Sequence, residues 1–143
     1  MKKLILASFI FLFGVIAYAQ SAIGTWKTID DKTGKEKSYV QIYETKSGKL
    51  QGKVVKILTP GKEHETCKDC SGDNKNKPIM GMVIMWGLQK DGNSAWSGGH
   101  ILDPNNGKQY KCKINLIDAN TLNVRGFLGV SLLGRSQTWY RVE

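Results

Sequence analysis

Residues 96–110 read Trp96-Ser97-Gly98-Gly99-His100-Ile101-Leu102-Asp103-Pro104-Asn105-Asn106-Gly107-Lys108-Gln109-Tyr110. Asp103 can accept backbone N–H bonds from residues further on, Pro104 sets φ near about −65° for a turn, and Gly107 tolerates a positive φ. Residues on both sides of this turn alternate in polarity. The stretch therefore predicts a β-hairpin whose turn is made by Asp103, Pro104 and Gly107.

The same alternation and turn chemistry recur along the rest of the chain. The further predicted strands are residues 24–30, 37–45, 50–58, 79–88, 121–127 and 135–142. Together with the two arms of the hairpin they make eight short strands without helical periodicity between them. Because consecutive antiparallel strands form a meander, we predict an all-β fold, a single antiparallel eight-stranded up-and-down barrel. An open sandwich is the alternative.

The amino terminus has the three parts of a secretory signal peptide: Met1-Lys2-Lys3, an apolar run over 4–16, and Ala17-Tyr18-Ala19. A membrane anchor is the alternative, but the run is shorter than the roughly 20 residues that span a bilayer. We predict a signal peptide at 1–19 with cleavage after Ala19, one barrel domain at 20–143, and a periplasmic or secreted location.

The charge of the predicted exported chain is positive. Without Lys2 and Lys3 the 21 basic residues become 19, which against 12 acidic residues gives a net charge of +7. The lysines are scattered, which is typical of a solvated surface, although attraction to anionic lipid, glycan or peptide is the functional alternative. We expect no nucleic-acid partner, because no arginine-rich patch is visible, and no integral membrane segment after residue 19.

Four motifs together carry a resemblance to a known family. They are W-x-G-G-x-I-x-D-P-x-x-G-K-x-Y at 96–110, Cys67-x-x-Cys70, R-G-F-x-G at 125–129 and Q-T-W-Y-R at 137–141. The chain over about 22–142 resembles the DUF2147 family of exported bacterial proteins. The resemblance implies a lipocalin-like β-barrel in the periplasm and implies no activity. Trp26 in Gly24-Thr25-Trp26, with Arg141 late in the chain, is also similar to the lipocalin arrangement in which an arginine stacks over a tryptophan as a structural plug.

Three cysteines leave one unpaired in an oxidising compartment. Cys67 and Cys70 are predicted to form a local disulfide in the irregular segment 59–78, with Cys112 as a buried free thiol. A metal site and a thioredoxin-type redox pair are the alternatives, but the redox pair needs a helix N-terminus in a βαβ context that the sequence lacks.

Aromatic residues supply the main functional signal, because small-ligand sites are concave and mostly apolar with a few polar groups. The interior of an eight-stranded barrel can equally be filled by side chains. The candidate ligand-binding residues are Trp86, Trp96, Tyr110, Arg125, Phe127 and Trp139, with Arg125 or Arg141 as an anchor for an anion.

Other chemistry is weaker. Met80, Met82 and Met85 offer soft thioether donors that suit Cu(I), but methionines also fill irregular gaps in cores. His100 has no recognisable catalytic partner. We therefore predict no enzyme and no cofactor. The leading hypothesis is a binding protein for a small apolar or amphipathic anionic ligand, which includes a lipid-like one. The alternatives are a cell-envelope protein-interaction module and, below it, a copper carrier.

Overall fold

The computed structural model describes residues 20–130 and 132–143, so the predicted signal peptide at 1–19 lies outside the described residues. Within the described ranges no helix is long and apolar enough to cross a bilayer. The strands are β1 (Gly24–Ile29), β2 (Glu36–Glu44), β3 (Leu50–Ile57), β4 (Val83–Lys90), β5 (Ala95–Asp103), β6 (Lys108–Asp118), β7 (Thr121–Phe127) and β8 (Gly134–Arg141).

The eight strands close into a barrel in which each strand pairs with the next and β8 returns to β1. All pairings are antiparallel. The predicted eight-stranded up-and-down barrel is confirmed, since alternating strands joined by turns have no free edge once the sheet closes. The ladder between β1 and β8 is short: it pairs Trp26 with Arg141 and Lys27 with Tyr140.

The predicted strand over 79–88 begins too early. In the structure β4 starts at Val83, and Ile79 to Met82 form a turn in which the N–H of Met82 donates to the carbonyl of Ile79 at 3.0 Å. Gly81 sits in this turn with φ of +83°. Apolar composition alone does not distinguish a strand from a turn whose side chains are partly buried.

Antiparallel connections place the loops alternately at the two ends of the barrel. At one end lie the short loops 45–49, 91–94 and 119–120, together with residues 20–23 and 142–143. We call this the closed end. At the other end lie the β1–β2, β3–β4, β5–β6 and β7–β8 connections, and we call this the open end. Their described residues are 30–35, 58–82, 104–107, 128–130 and 132–133.

The long connection 58–82 is held to the barrel by its disulfide segment. Cys67 and Cys70 are bonded, with Cα atoms 5.3 Å apart, as predicted. The N–H of Cys67 donates to the carbonyl of Lys77 at 2.8 Å, which closes the segment on itself. Gly107 of the predicted hairpin turn lies against it: φ is +71°, and a Cβ atom there would overlap the backbone of Asp69 and Cys70.

Candidate functional site

The closed end is plugged by an indole and a guanidinium. Trp26 is fully buried and its Nε1 donates to the carbonyl of Ala22 at 2.8 Å. The Arg141 guanidinium lies 4.3 Å from the Trp26 ring centre. Its nitrogen atoms donate to three carbonyl oxygens, of Ala119 at 2.7 Å, Ile23 at 2.9 Å and Ser21 at 2.7 Å. These hydrogen bonds connect β8 to the 119–120 loop and to residues 20–23. The Arg141 side chain therefore covers the closed end and lies outside the barrel interior.

The middle of the barrel is filled by buried side chains. Trp96 and Trp139 face inward, but both are packed within the core. Their inward-facing neighbours include Val40, Ile42, Met85, Leu88, Ile114, Leu122 and Val124. The sequence left a ligand cavity and a filled core open as alternatives, and the described residues form a filled core at this level.

Inward-facing side chains near the open end are different. On one side, Ile57, Ile101 and Tyr110 are half-exposed and form an apolar wall from β3, β5 and β6. On the other side, β8, β1 and β2 present Gln137, Thr28 and Ser38. We call these six residues the mouth.

The polar side of the mouth is internally bonded. The hydroxyl oxygens of Thr28 and Ser38 are 2.8 Å apart, so one donates to the other. Trp139, which forms the floor beneath, donates from Nε1 to Oε1 of Gln137 at 3.0 Å. On the apolar side Gly126 leaves space between strands, since a Cβ there would lie 3.4 Å from Ile101 and 3.5 Å from the Tyr110 Cβ.

A cleft of about 260 Å³ opens beside the mouth, where β1 and β8 separate. Its lining residues are Ile29, Asp30, Asp31, Gly34, Ser136, Gln137, Thr138 and Tyr140. Asp31 spans the gap: its Oδ2 accepts from Nε2 of Gln137 at 2.9 Å and from Nε of Arg135 at 3.0 Å. Gln137 therefore connects the tryptophan floor inside the barrel to the carboxylate outside it.

The structure does not gather the predicted ligand-binding residues on one surface. Trp96, Tyr110 and Trp139 face inward, and of these only Tyr110 is half-exposed. Trp86 lies on the outer wall, with its ring centre 5.7 Å from that of His100. It faces outward because it pairs with His100 on the opposite strand face from Met85.

Arg125 and Phe127 also face outward. Arg125 lies opposite Lys113, and its NH1 donates to the hydroxyl of Ser136 at 3.0 Å. Phe127 lies opposite Lys111. Neither Arg125 nor Arg141 reaches the mouth, so the expected arginine anchor for an anion inside the barrel is corrected.

Sequence reasoning missed the polar half of the mouth. Thr28, Ser38 and Gln137 each lie two residues from a buried inward-facing residue, respectively Trp26, Val40 and Trp139. The signal was available: a polar residue that keeps the inward register near a strand end marks where a barrel stops being packed.

The methionines of the copper hypothesis lie in different surroundings. Met80 is 42% exposed in the turn before β4, whereas Met85 is fully buried inside the barrel. In residues 20–130 and 132–143 no three His, Cys, Asp or Glu side chains come together as a metal site would require. Of the thioethers in the copper hypothesis, the structure therefore exposes that of Met80 and buries that of Met85.

Cys112 is a free, buried thiol facing into the core. Desolvation raises its pKa to about 12, so it stays protonated at neutral pH. Since the thiolate is the reactive form, this cysteine behaves as a small apolar side chain.

The hairpin turn has the geometry that its sequence predicts. Oδ1 of Asp103 accepts from the N–H of Asn105 at 2.9 Å, and the carbonyl of Asp103 accepts from the N–H of Gly107 at 2.8 Å. The turn thus positions Gly107 against the disulfide segment of the 58–82 connection, and its residues are not part of the mouth.

Comparison with known proteins agrees with this architecture. The family profile described as "Uncharacterized protein conserved in bacteria (DUF2147)" matches residues 24–141. Protein HP1028 from Helicobacter pylori, which is described as belonging to the lipocalin family, has a similar structure with a TM-score of 0.77. It is 20% identical, and the similarity covers 86% of this chain and 84% of that protein. No curated protein sequence matches. The profile match spans all eight strands and the motifs at both barrel ends, and the chain belongs to the DUF2147 family.

Proposed function

We propose that this protein is an exported, non-enzymatic binding protein of the bacterial envelope. Its ligand is small and apolar or amphipathic, and the apolar part of the ligand enters the mouth at the open end. The observation that carries the proposal is the contrast along the barrel axis. Side chains facing inward are buried at the closed end, whereas the mouth residues other than the buried Thr28 are partly exposed.

The two-sided chemistry of the mouth supports a ligand with two kinds of surface. Ile57, Ile101 and the Tyr110 ring offer apolar contact, while two hydroxyls and one amide complete the ring of inward-facing residues. Ligand sites commonly combine an apolar lining with a few placed polar groups. Because these polar groups are neutral, we place any anionic group of the ligand outside the barrel, at the rim.

The same groups support binding more than catalysis. A hydroxyl becomes a nucleophile when a base takes its proton. In the mouth the Thr28 hydroxyl is hydrogen-bonded to that of Ser38, and the Gln137 amide is held between Trp139 and Asp31. These groups are arranged to present fixed donors and acceptors.

Binding is tested with N-phenyl-1-naphthylamine, an apolar probe whose fluorescence rises in apolar surroundings. We expect saturable binding that is lost in Gly126→Val, because the added methyl groups project between Ile101 and Tyr110. Gln41→Val adds a valine on the exposed outer wall of β2 and is the matched control. Unchanged binding in Gly126→Val, with the barrel intact by circular dichroism, would show that the mouth is not the site.

Export and the natural ligand are tested on protein recovered from its own host. Cell fractionation should place the protein in the periplasm or medium, with a mass that lacks residues 1–19. Native mass spectrometry of that material should show an added small mass. Cytoplasmic protein of full mass would contradict export. Recovery in complex with an envelope protein and with no small mass would favour the interaction-module alternative.

A further inference from the structure

The β7–β8 connection exposes a cluster of aliphatic side chains at the open end. We call Leu128, Val130, Leu132 and Leu133 the apolar tip. Their exposed fractions are 60%, 60%, 88% and 69%. Single exposed apolar residues are ordinary, but a contiguous group of large aliphatic side chains on one loop marks an interaction site.

Basic side chains lie directly behind the tip on the outer wall. Lys111 of β6 is opposite Phe127, the last residue of β7, and Lys113 is opposite Arg125. We call Lys111, Lys113 and Arg125 the basic strip. Both lysines are exposed. The described salt bridges join Lys27 to Glu36, Lys62 to Glu65 and Arg135 to Asp31, so both lysines of the strip stand outside them.

The spacing of tip and strip fits the layers of a membrane surface. A strand rises about 3.4 Å per residue, so Lys113 and Arg125 lie about 7 Å further from the tip along the strands than Lys111 and Phe127 do. Because barrel strands tilt by about 35–45°, this corresponds to about 5 Å along the barrel axis. The headgroup region of one leaflet is about 5–8 Å thick outside the hydrocarbon. A tip whose leucines enter the hydrocarbon would therefore hold the basic strip at the level of the lipid phosphates.

From this arrangement we propose that the open end docks on a bilayer leaflet that contains anionic lipid, with the apolar tip inserted and the basic strip against the phosphates. Apolar insertion and attraction to anionic headgroups are the two contributions that bind peripheral proteins to membranes. A second copy of the chain is the competing occupant. A tip-to-tip pair would bring two basic strips together, and the charge repulsion opposes it.

Site-specific fluorescence tests the orientation. Leu132→Cys carries an environment-sensitive maleimide dye, and Cys112 stays unlabelled because it is buried. Ser47→Cys, in the 45–49 loop of the closed end, is the matched label position. With mixed phosphatidylglycerol–phosphatidylcholine vesicles we expect a blue shift and intensity rise at residue 132 and none at residue 47. Equal responses at both positions, or a response at residue 47 alone, would overturn the proposal.

Vesicle sedimentation of the exported protein measures the two contributions. Leu132→Ser combined with Leu133→Ser should weaken partition by about tenfold or more, because two exposed leucines no longer enter hydrocarbon. Lys111→Gln and Lys113→Gln should each weaken it by about fivefold. Lys46→Gln removes one charge at the closed end and should change little. Partition that is insensitive to the serine substitutions, or equal on pure phosphatidylcholine, would contradict the proposal.

Two further readouts separate the alternatives. If the protein is a dimer in solution and the serine variant is a monomer, a second copy is the occupant and the membrane proposal is wrong. Binding of N-phenyl-1-naphthylamine should be unchanged in the serine variant, because the tip lies outside the mouth. Failure of probe binding in the wild type would remove the proposed function and leave membrane docking standing.

Discussion

The same eight strands end in a buried, hydrogen-bonded plug at one end of the barrel and in partly exposed side chains at the other. At the closed end Trp26 is fully buried and Arg141 donates to three backbone carbonyls around it. At the open end Tyr110 stays half-exposed, and the loops and strand ends there carry a disulfide, the ion pair between Asp31 and Arg135, and the apolar tip. From this difference we expect stability to be concentrated at the closed end, and the proposed ligand and membrane contacts lie at the open end.

The largest contrast should come from truncating one aromatic residue at each end. Trp26→Ala removes a fully buried indole and should lower the free energy of unfolding by about 3–5 kcal/mol. Tyr110→Ala truncates a half-exposed ring and should lower it by about 1 kcal/mol. Urea denaturation of both variants gives the comparison. Equal losses would mean that the mouth is part of the structural core.

A second contrast concerns the 58–82 connection at the open end and its contact with Gly107. Gly107→Ala must adopt a positive φ and also displace the backbone of Asp69 and Cys70. At Gly61 φ is +77° and an added Cβ would have no neighbour within 4 Å, so Gly61→Ala introduces backbone strain without a steric clash. We expect losses in unfolding free energy of about 3 kcal/mol and about 1 kcal/mol respectively, measured by urea denaturation. The difference isolates the contact between the disulfide segment and the hairpin turn, and identical losses would show that this contact contributes nothing.

A third contrast compares two arginines. Arg141→Lys loses the planar stacking on Trp26 and part of the carbonyl contacts, and should destabilise by about 1–2 kcal/mol. Arg135→Lys alters an exposed ion pair with Asp31 and should change stability by less than about 0.5 kcal/mol. Thermal unfolding monitored by circular dichroism ranks the two variants. A larger effect at Arg135 would mean that the ion pair of Arg135 with Asp31 contributes more to closing the barrel than the contact of Arg141 with Trp26 does.

The smallest expected effect is a pH dependence of stability, and it should be the same for Asp30 at the open end and Asp118 at the closed end. The backbone N–H of Thr33 and then its hydroxyl lower the pKa of Asp30, and the N–H of Asn120 lowers that of Asp118. A carboxylate with a lowered pKa stabilises the fold above its unfolded value near 3.8 and loses this as pH falls through the folded value. The melting-temperature deficits of Asp30→Asn and Asp118→Asn should therefore hold from pH 7 to about 5 and shrink below about 4. A deficit that persists at pH 2 in one variant only would show that the two turns differ.

The sequence was sufficient for the barrel because period-two alternation and turn chemistry are local. It also placed Arg125 and Phe127 on the strand face opposite Leu122 and Val124, and the buried pair marks the inward side. The alternation along β7 therefore already indicated that Arg125 and Phe127 face outward and do not line the barrel interior. The disulfide was predicted from the spacing of Cys67 and Cys70 together with the expected export of the chain, and the disulfide is confirmed.

The local sequence pattern could not predict how strands pair where the register shifts, nor the path of a long connection such as 58–82. The turn at Ile79 to Met82 and the register shifts around Gly52 decide which methionines enter the core. The contact between the 58–82 connection and Gly107 joins segments nearly 40 residues apart in sequence. The mouth depends on where packing ends along the barrel axis, which requires all eight strands to be placed together.

The short β1–β8 ladder also has a consequence for the time at which the molecule can form. Trp26 pairs with Arg141 across 141 − 26 = 115 residues, and this contact shuts the sheet. At about 5–20 residues per second, a ribosome needs roughly 6–23 seconds to reach β8 after making β1. Contacts of such high sequence separation also form slowly once the chain is complete. A nascent chain of this kind cannot close its barrel until β8 has been made, which is compatible with the export proposed above.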